Sequence, residues 1–120
     1  LTSSSARNVK EVKPIYSDNA ELVDGRIILR DNFHQMFEDI PEAMIFGEDV
    51  GKIGGVNQGV EGMQEKFGEE RVADTGIRET TILGQGIGLS LRGLRPIAEI
   101  QYLDYLLLVL LQHLKRLHQQ

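Results

Sequence analysis

The first sustained hydrophobic periodicity begins after Asp24. In GRIILRDNFHQMFEDIP, apolar residues recur at Ile27, Ile28, Phe33, Met36, Phe37 and Ile40, with an N-cap type residue, Asp24, ahead of them and Pro41 behind. The spacing predicts a helix from about Gly25 to Asp39, stopped by the proline. The period then shortens. AMIF, Ala43 to Phe46, is a continuous apolar run ending at Gly47, the pattern of a strand buried in a parallel sheet. Val56, Val60, Met63 and Phe67 return to helical spacing, with Gly68 placed as a C-terminal cap, and predict a helix over about Gln58 to Phe67. RVADTG reads as a short strand and turn, residues 78–92 as a third helix, RPIAEIQ (Arg95 to Gln101) as a strand, and LDYLLLVLLQHLKRLHQ as a closing helix.

Helices and short apolar strands thus alternate, without an internal repeat, and the expected fold class is α/β with a parallel sheet. Ligands of such folds gather at the carboxyl ends of the strands. Three loops lie there: Gly47 to Gly55, Asp74 to Arg78, and Gln101 to Tyr105.

Composition narrows the function classes. With 120 residues, 41% hydrophobic and 26% charged, the chain has the make-up of one globular domain. Thirteen Lys and Arg scattered among 18 acids give a net charge of −5, which argues against a nucleic-acid partner, since phosphate binding needs a basic face. There is no cysteine, hence neither a disulfide framework nor a thiolate metal site, which fits a reducing compartment. The apolar run from Tyr105 to Leu111 is far short of the ~20 residues that cross a bilayer, so a membrane span is not expected. Residues 1–23 lack the apolar core of a secretory signal and read as a flexible lead-in or interdomain linker, with the folded domain over 24–120. A start at Leu rather than Met reads as a processed chain or a piece of a longer one.

GQGIGL, Gly84 to Leu89, imitates a dinucleotide-binding fingerprint, but Leu89 occupies the place of the third small residue and no strand directly precedes the motif. A packing role fits better. Each glycine costs a helix about 1 kcal/mol, and a helix closely approaching the face of Gly84 and Gly88, whether from this chain or a second subunit, would offset that cost. More telling is DTGIRETTILGQG, where a lone acid, Glu79, heads an apolar helix. Carboxylates are rarely buried without a partner. An exposed glutamate favoured by the helix dipole is the plainer reading.

IFGEDVGKIGGVNQGVEGMQEKFGEERVADTGIRETTILGQGIGLSLRGLRPIAEIQYLDY, Ile45 to Tyr105, closely resembles the pyrimidine-binding domain in the beta subunit of thiamine-diphosphate-dependent 2-oxo acid dehydrogenases, the decarboxylating components of the pyruvate and branched-chain complexes. FGEDV, a helix ending in KFG, RVADT, the lone glutamate, GxRP and EIQ stand in that family's order, and the likeness extends more loosely back to Asp24. The resemblance implies a parallel-sheet thiamine-diphosphate-binding fold of the pyrimidine type, incomplete here. It implies that Glu79 hydrogen-bonds the pyrimidine ring nitrogen para to the exocyclic amine, favouring the imino tautomer that takes the proton from the thiazolium carbon.

By the same resemblance Ile77 lies beside the pyrimidine, Tyr105 packs near that ring, and Gln101 lines the pocket. Glu48 is a second acid on the pyrimidine side, in a polar path between paired active sites. Their ordinary alternatives stand: a core aromatic for Tyr105, a strand-end polar group for Gln101, a solvated loop acid for Glu48. His34, His113 and His118 fall on predicted helices away from these loops, and no metal-ligand cluster is evident. In the family the diphosphate and its magnesium are gripped mainly by an alpha subunit or a fused alpha half, whose motif is missing here. The implied partners are that alpha chain or half, a second beta subunit and a lipoyl-bearing acyltransferase.

The implied location is the bacterial cytoplasm, or the mitochondrial matrix of a eukaryote, with the cytoplasm preferred. After LDY the leucine-rich tail departs from the family pattern. The isolated chain is expected to be inactive and to self-associate or be poorly stable. Two alternatives remain open: another transketolase-like thiamine diphosphate enzyme, and a non-catalytic subunit-assembly module.

Overall fold

The computed structural model describes residues 11–117. Helices α1 (Gly25–Asp39), α2 (Met63–Phe67), α3 (Glu79–Leu91) and α4 (Leu103–Leu117) alternate with strands β1 (Ala43–Gly47), β2 (Val72–Asp74) and β3 (Arg95–Ala98). The fold is the expected α/β class. All strand pairs are parallel, in the order β2-β1-β3, with Phe46 opposite Ala73 on one side and Ala98 on the other. Residues 11–23 are exposed and contain neither helix nor strand; residues 1–10 and His118 lie outside the described residues.

The α1 boundaries agree with the sequence pattern, for the expected reasons. Asp24 caps the helix by accepting the Arg26 N–H at 2.8 Å, and the chain leaves helical geometry at Ile40, before Pro41. The second helix is shorter than its periodicity implies. Gln58 has φ of 55° and Gly62 of 74°, so the backbone of this stretch makes turns, and only Met63–Phe67 is helical. Likewise β3 ends at Ala98 rather than Gln101: the Glu99 N–H still reaches the Phe46 carbonyl at 2.9 Å, after which the chain bends towards α4.

Alternation along β1 divides the core. Ala43 and Ile45 face a cluster built from Phe37, Val50, Val60, Met63 and Val72. Phe46 faces the opposite layer, where α3 passes close to the sheet. Arg71 fastens the first layer. Its guanidinium donates to the carbonyls of Ala43 (2.9 Å), Phe37 (2.8 Å) and Ile40 (2.9 Å), and lies over the rings of Phe37 and Phe67 at 4.8 and 5.1 Å. It closes the last turn of α1 onto the start of β1.

The glycines of α3 do not all serve one contact. Gly86 is the one pressed on the sheet: a Cβ there would stand 3.2 Å from that of Ala98. Gly84 faces α4 of the same chain, at a looser 3.8 Å from His113 Cε1, and Gly88 meets nothing within 4 Å. The pairing of Gly84 with Gly88 is therefore corrected, and Gly86 is the residue that space requires. Leu107, Leu108, Leu110, Leu111 and Leu114 of α4 are exposed.

Gly86→Leu is expected to destabilise the fold by about 2 kcal/mol through overpacking, whereas Gly88→Ala should stabilise it by up to about 1 kcal/mol through helix propensity. Chemical denaturation of both variants checks the pair; equal effects would refute the assignment of Gly86 to the sheet.

Candidate functional site

Parallel pairing brings the carboxyl ends of β1 and β3 side by side, and the sequence places acids at both. β1 runs out into Glu48 and Asp49, β3 into Glu99, and the first residue of α3 is Glu79. These four carboxyls interact. The carboxyls of Glu48 and Glu79 approach closely enough to act on each other. Burial, then the charges of Glu79 and Asp49, push Glu48 above its ordinary value. Burial first, then Asp49 and Glu48, also raise Glu99. Among the described residues none of these acids takes part in an ion pair; the ion pairs join Arg26 to Glu61, Arg30 to Asp31 and Lys66 to Glu38.

Two oxygens of this group are buried with no hydrogen-bond partner: Glu48 Oε1 and Glu99 Oε2. Gly47 makes room for the second. A Cβ on Gly47 would fall 2.6 Å from Glu99 Oε2 and 2.7 Å from both Glu99 Cβ and Val50 Cγ2, so any side chain here displaces the acid. The neighbouring loop is held in place by Asp74 at the end of β2, whose Oδ1 accepts the Gly51 N–H at 2.6 Å.

Of the positions singled out from sequence, Glu48 and Glu79 meet directly. Gln101 joins them at one remove, donating its amide N–H to Asp49. Ile77 stands 84% exposed in the loop two residues before Glu79. Tyr105, 48% exposed in the first turn of α4, packs edge-on against Tyr102 with centroids 6.2 Å apart and contacts none of the four acids through a hydrogen bond. Among the described residues histidine plays no part in the acid group: His34 and His113 bond the backbone carbonyls of Glu61 and Thr80. Among the described residues no group of three or more potential ligands is arranged to hold a metal. Sequence reasoning missed Asp49 and Glu99. The signal for Glu99 was the one that exposed Glu79, an acid set in an apolar run, here PIAEI.

A protein-family model described as the pyrimidine binding domain of transketolase matches residues 22–120. The chain belongs to this family. Within it, the chain is 51% identical over 63 residues to a 2-oxoisovalerate dehydrogenase subunit beta of Bacillus subtilis, across 52% of this chain and 19% of that protein. It is 41% identical over 91 residues to the subunit of the same name from Pseudomonas aeruginosa, across 73% and 26%. It is 52% identical over 62 residues to a pyruvate dehydrogenase E1 component subunit beta of Leifsonia xyli, across 52% and 18%. The resemblance to beta subunits of 2-oxo acid dehydrogenases is thereby borne out, and the aligned stretch spans about a quarter or less of these relatives.

The donor set fits a pyrimidine. Glu48 Oε1 is an unpartnered acceptor in the same group as Glu79, and an aminopyrimidine offers both N–H donors and ring nitrogens that accept a carboxyl proton. An apolar side chain, Ile77, precedes Glu79 by two residues in the chain.

The raised acids fix the direction of a pH effect. The folded chain holds the Glu48 and Glu99 protons more tightly than the unfolded chain does, so unfolding free energy falls as pH rises through the carboxylate range towards the raised folded values. Glu99→Gln should therefore stabilise the chain at pH 7, with the gain shrinking towards pH 4, as read from denaturant midpoints at the two pH values. A gain that grows on acidification would contradict the assignment.

Proposed function

We propose that this chain supplies the pyrimidine side of a thiamine diphosphate site in the decarboxylating component of a 2-oxo acid dehydrogenase, with residues 24–120 as part of the pyrimidine-binding domain and 1–23 as a lead-in or interdomain linker. The observation that carries the proposal is the meeting of the Glu48 and Glu79 carboxyls at the carboxyl edge of the sheet, with a buried Glu48 oxygen that lacks a donor. The beta-subunit names of the relatives support it.

In this reading Glu79 is the group that meets a pyrimidine ring nitrogen and exchanges a proton with it. Glu48, raised above its ordinary value by burial and by its acidic neighbours, stands against the Glu79 carboxyl and lessens the facing of two charges. Gln101 fixes Asp49, which follows Glu48 in the chain, and Ile77 and Tyr105 offer exposed apolar surface for the faces of the ring. The cofactor, when bound, supplies the carbanion chemistry of decarboxylation.

The four acids make this edge a poor seat for a diphosphate or a 2-oxo acid carboxylate, and no Lys or Arg pairs with them among the described residues. Those anions, with magnesium, fall to an alpha subunit or fused alpha half. A second beta subunit and a lipoyl-bearing acyltransferase complete the set, the acyl group of pyruvate or a branched-chain 2-oxo acid passing to the lipoyl group. The cytoplasm is the compartment that this reading prefers.

In the full assembly, Glu79→Gln should lower turnover of both kinds of 2-oxo acid by about 100-fold or more, the scale of a lost proton-transfer group. Calorimetric titration with thiamine diphosphate and magnesium should show weaker or altered binding. Unchanged binding and turnover would leave a subunit-assembly role as the better account.

A further inference from the structure

Helix α3 begins without a local lock. Its N-cap residue is Arg78, which makes no side-chain hydrogen bond to the first turn; only its backbone carbonyl contributes, accepting the N–H of Thr81 at 2.9 Å and of Ile82 at 3.0 Å. The loop ahead is open, with Ile77 and Arg78 both exposed. An N-terminus of this kind frays, and a carboxyl on its first residue would sample many positions. Glu79 is that residue, and the reading above requires it to hold one position.

The restraint comes from α4. Two consecutive residues near its far end reach across to Thr80, next in the chain to Glu79: Gln112 Oε1 accepts the Thr80 hydroxyl, and His113 Nε2 bonds the Thr80 carbonyl at 3.2 Å. The imidazole lies over Gly84, one turn further along α3, with Cε1 3.8 Å from where a Cβ would be. Both polar groups of Thr80 are thus tied to one neighbouring helix, while the Glu79 carboxyl meets Glu48. The lengths match: α4 returns alongside α3, with buried Val109 between the bend after β3 and the Gln112–His113 pair.

We infer that Gln112 and His113 are positioning residues for Glu79, a two-bond splint from α4 that sets the first turn of α3 and so aims the Glu79 carboxyl. The inference rests on the pyrimidine-site reading. It gives work to two polar residues of a leucine-rich helix whose sequence assigned them none. It also predicts that the splint acts through the donated hydrogen bond rather than through bulk, because a glutamine at position 113 can present an amide N–H to the Thr80 carbonyl and a leucine cannot.

The test is made in the complete cofactor-binding assembly, with His113→Leu, His113→Gln, Gln112→Leu and Glu79→Gln side by side. Calorimetric affinity for thiamine diphosphate, turnover at saturating cofactor and the thermal midpoint are read for each. His113→Leu and Gln112→Leu should each lower turnover about tenfold, the scale of a small misplacement of a reacting group, and weaken cofactor binding. His113→Gln should recover most of both, at a thermal midpoint equal to that of His113→Leu. A His113→Leu variant indistinguishable from the wild type overturns the splint. So does recovery by His113→Gln that tracks the thermal midpoint alone, which would mean that the contact only stabilises the packing of α3 on α4. An impaired Glu79→Gln beside an unaltered His113→Leu removes the splint and spares the pyrimidine site, whereas an unaltered Glu79→Gln removes both.

Discussion

A parallel strand with neighbours on both edges and helices on both faces must be apolar along its whole length, and among the described residues β1 is the strand held that way. Ala43 to Gly47 satisfies the requirement in five residues. Its start is anchored by Arg71, which donates to the carbonyls of Phe37, Ile40 and Ala43 around the turn from α1. Its end then has no freedom of address: the chain must emerge between the end of β2 and the end of β3. The first two residues to emerge are both acidic, so the electrostatic crowding of the site follows from strand order.

That crowding explains which parts of the molecule could be read from the sequence. Local chemistry was legible where one residue decides the outcome, as Asp24 and Pro41 do for α1, and where a run is too short and apolar to be anything but a buried strand, as in β1. It failed where backbone geometry overrides periodicity. Val56 and Val60 keep helical spacing with Met63, yet the positive φ of Gln58 and Gly62 turns the chain and leaves only Met63–Phe67 helical.

The site was half legible. Glu79 stood out as an acid heading an apolar helix, Glu48 came from family resemblance, and the two carboxyls act on each other in the structure. Asp49 and Glu99 depend on register: Glu99 enters the group because Phe46 pairs with Ala98, which sets Glu99 beside Gly47, and no pattern within either segment encodes that pairing. The splint is hidden for the same reason, since Thr80 and His113 are 33 residues apart in the chain.

A fold does not collect unpartnered carboxyls without cost. A buried acceptor with no donor costs on the order of 1–3 kcal/mol, against a net stability of roughly 5–15 kcal/mol for a whole domain. Glu48 Oε1 and Glu99 Oε2 are two such acceptors within one group, and the space for Glu99 exists only because residue 47 is glycine. Protonation relieves the charge but not the missing donor. A ligand that brings its own N–H groups to this edge supplies what the chain lacks, and in doing so recovers the free energy that the unliganded arrangement gives up. The same balance accounts for α3. A strong local cap on Arg78 would fix the helix start on its own terms, whereas an uncapped start tied through Thr80 to α4 lets tertiary packing decide where Glu79 points. Local rules are broken here in three ways at once, by an uncapped helix, clustered acids and unsatisfied oxygens, and such violations gather where a fold has something to bind.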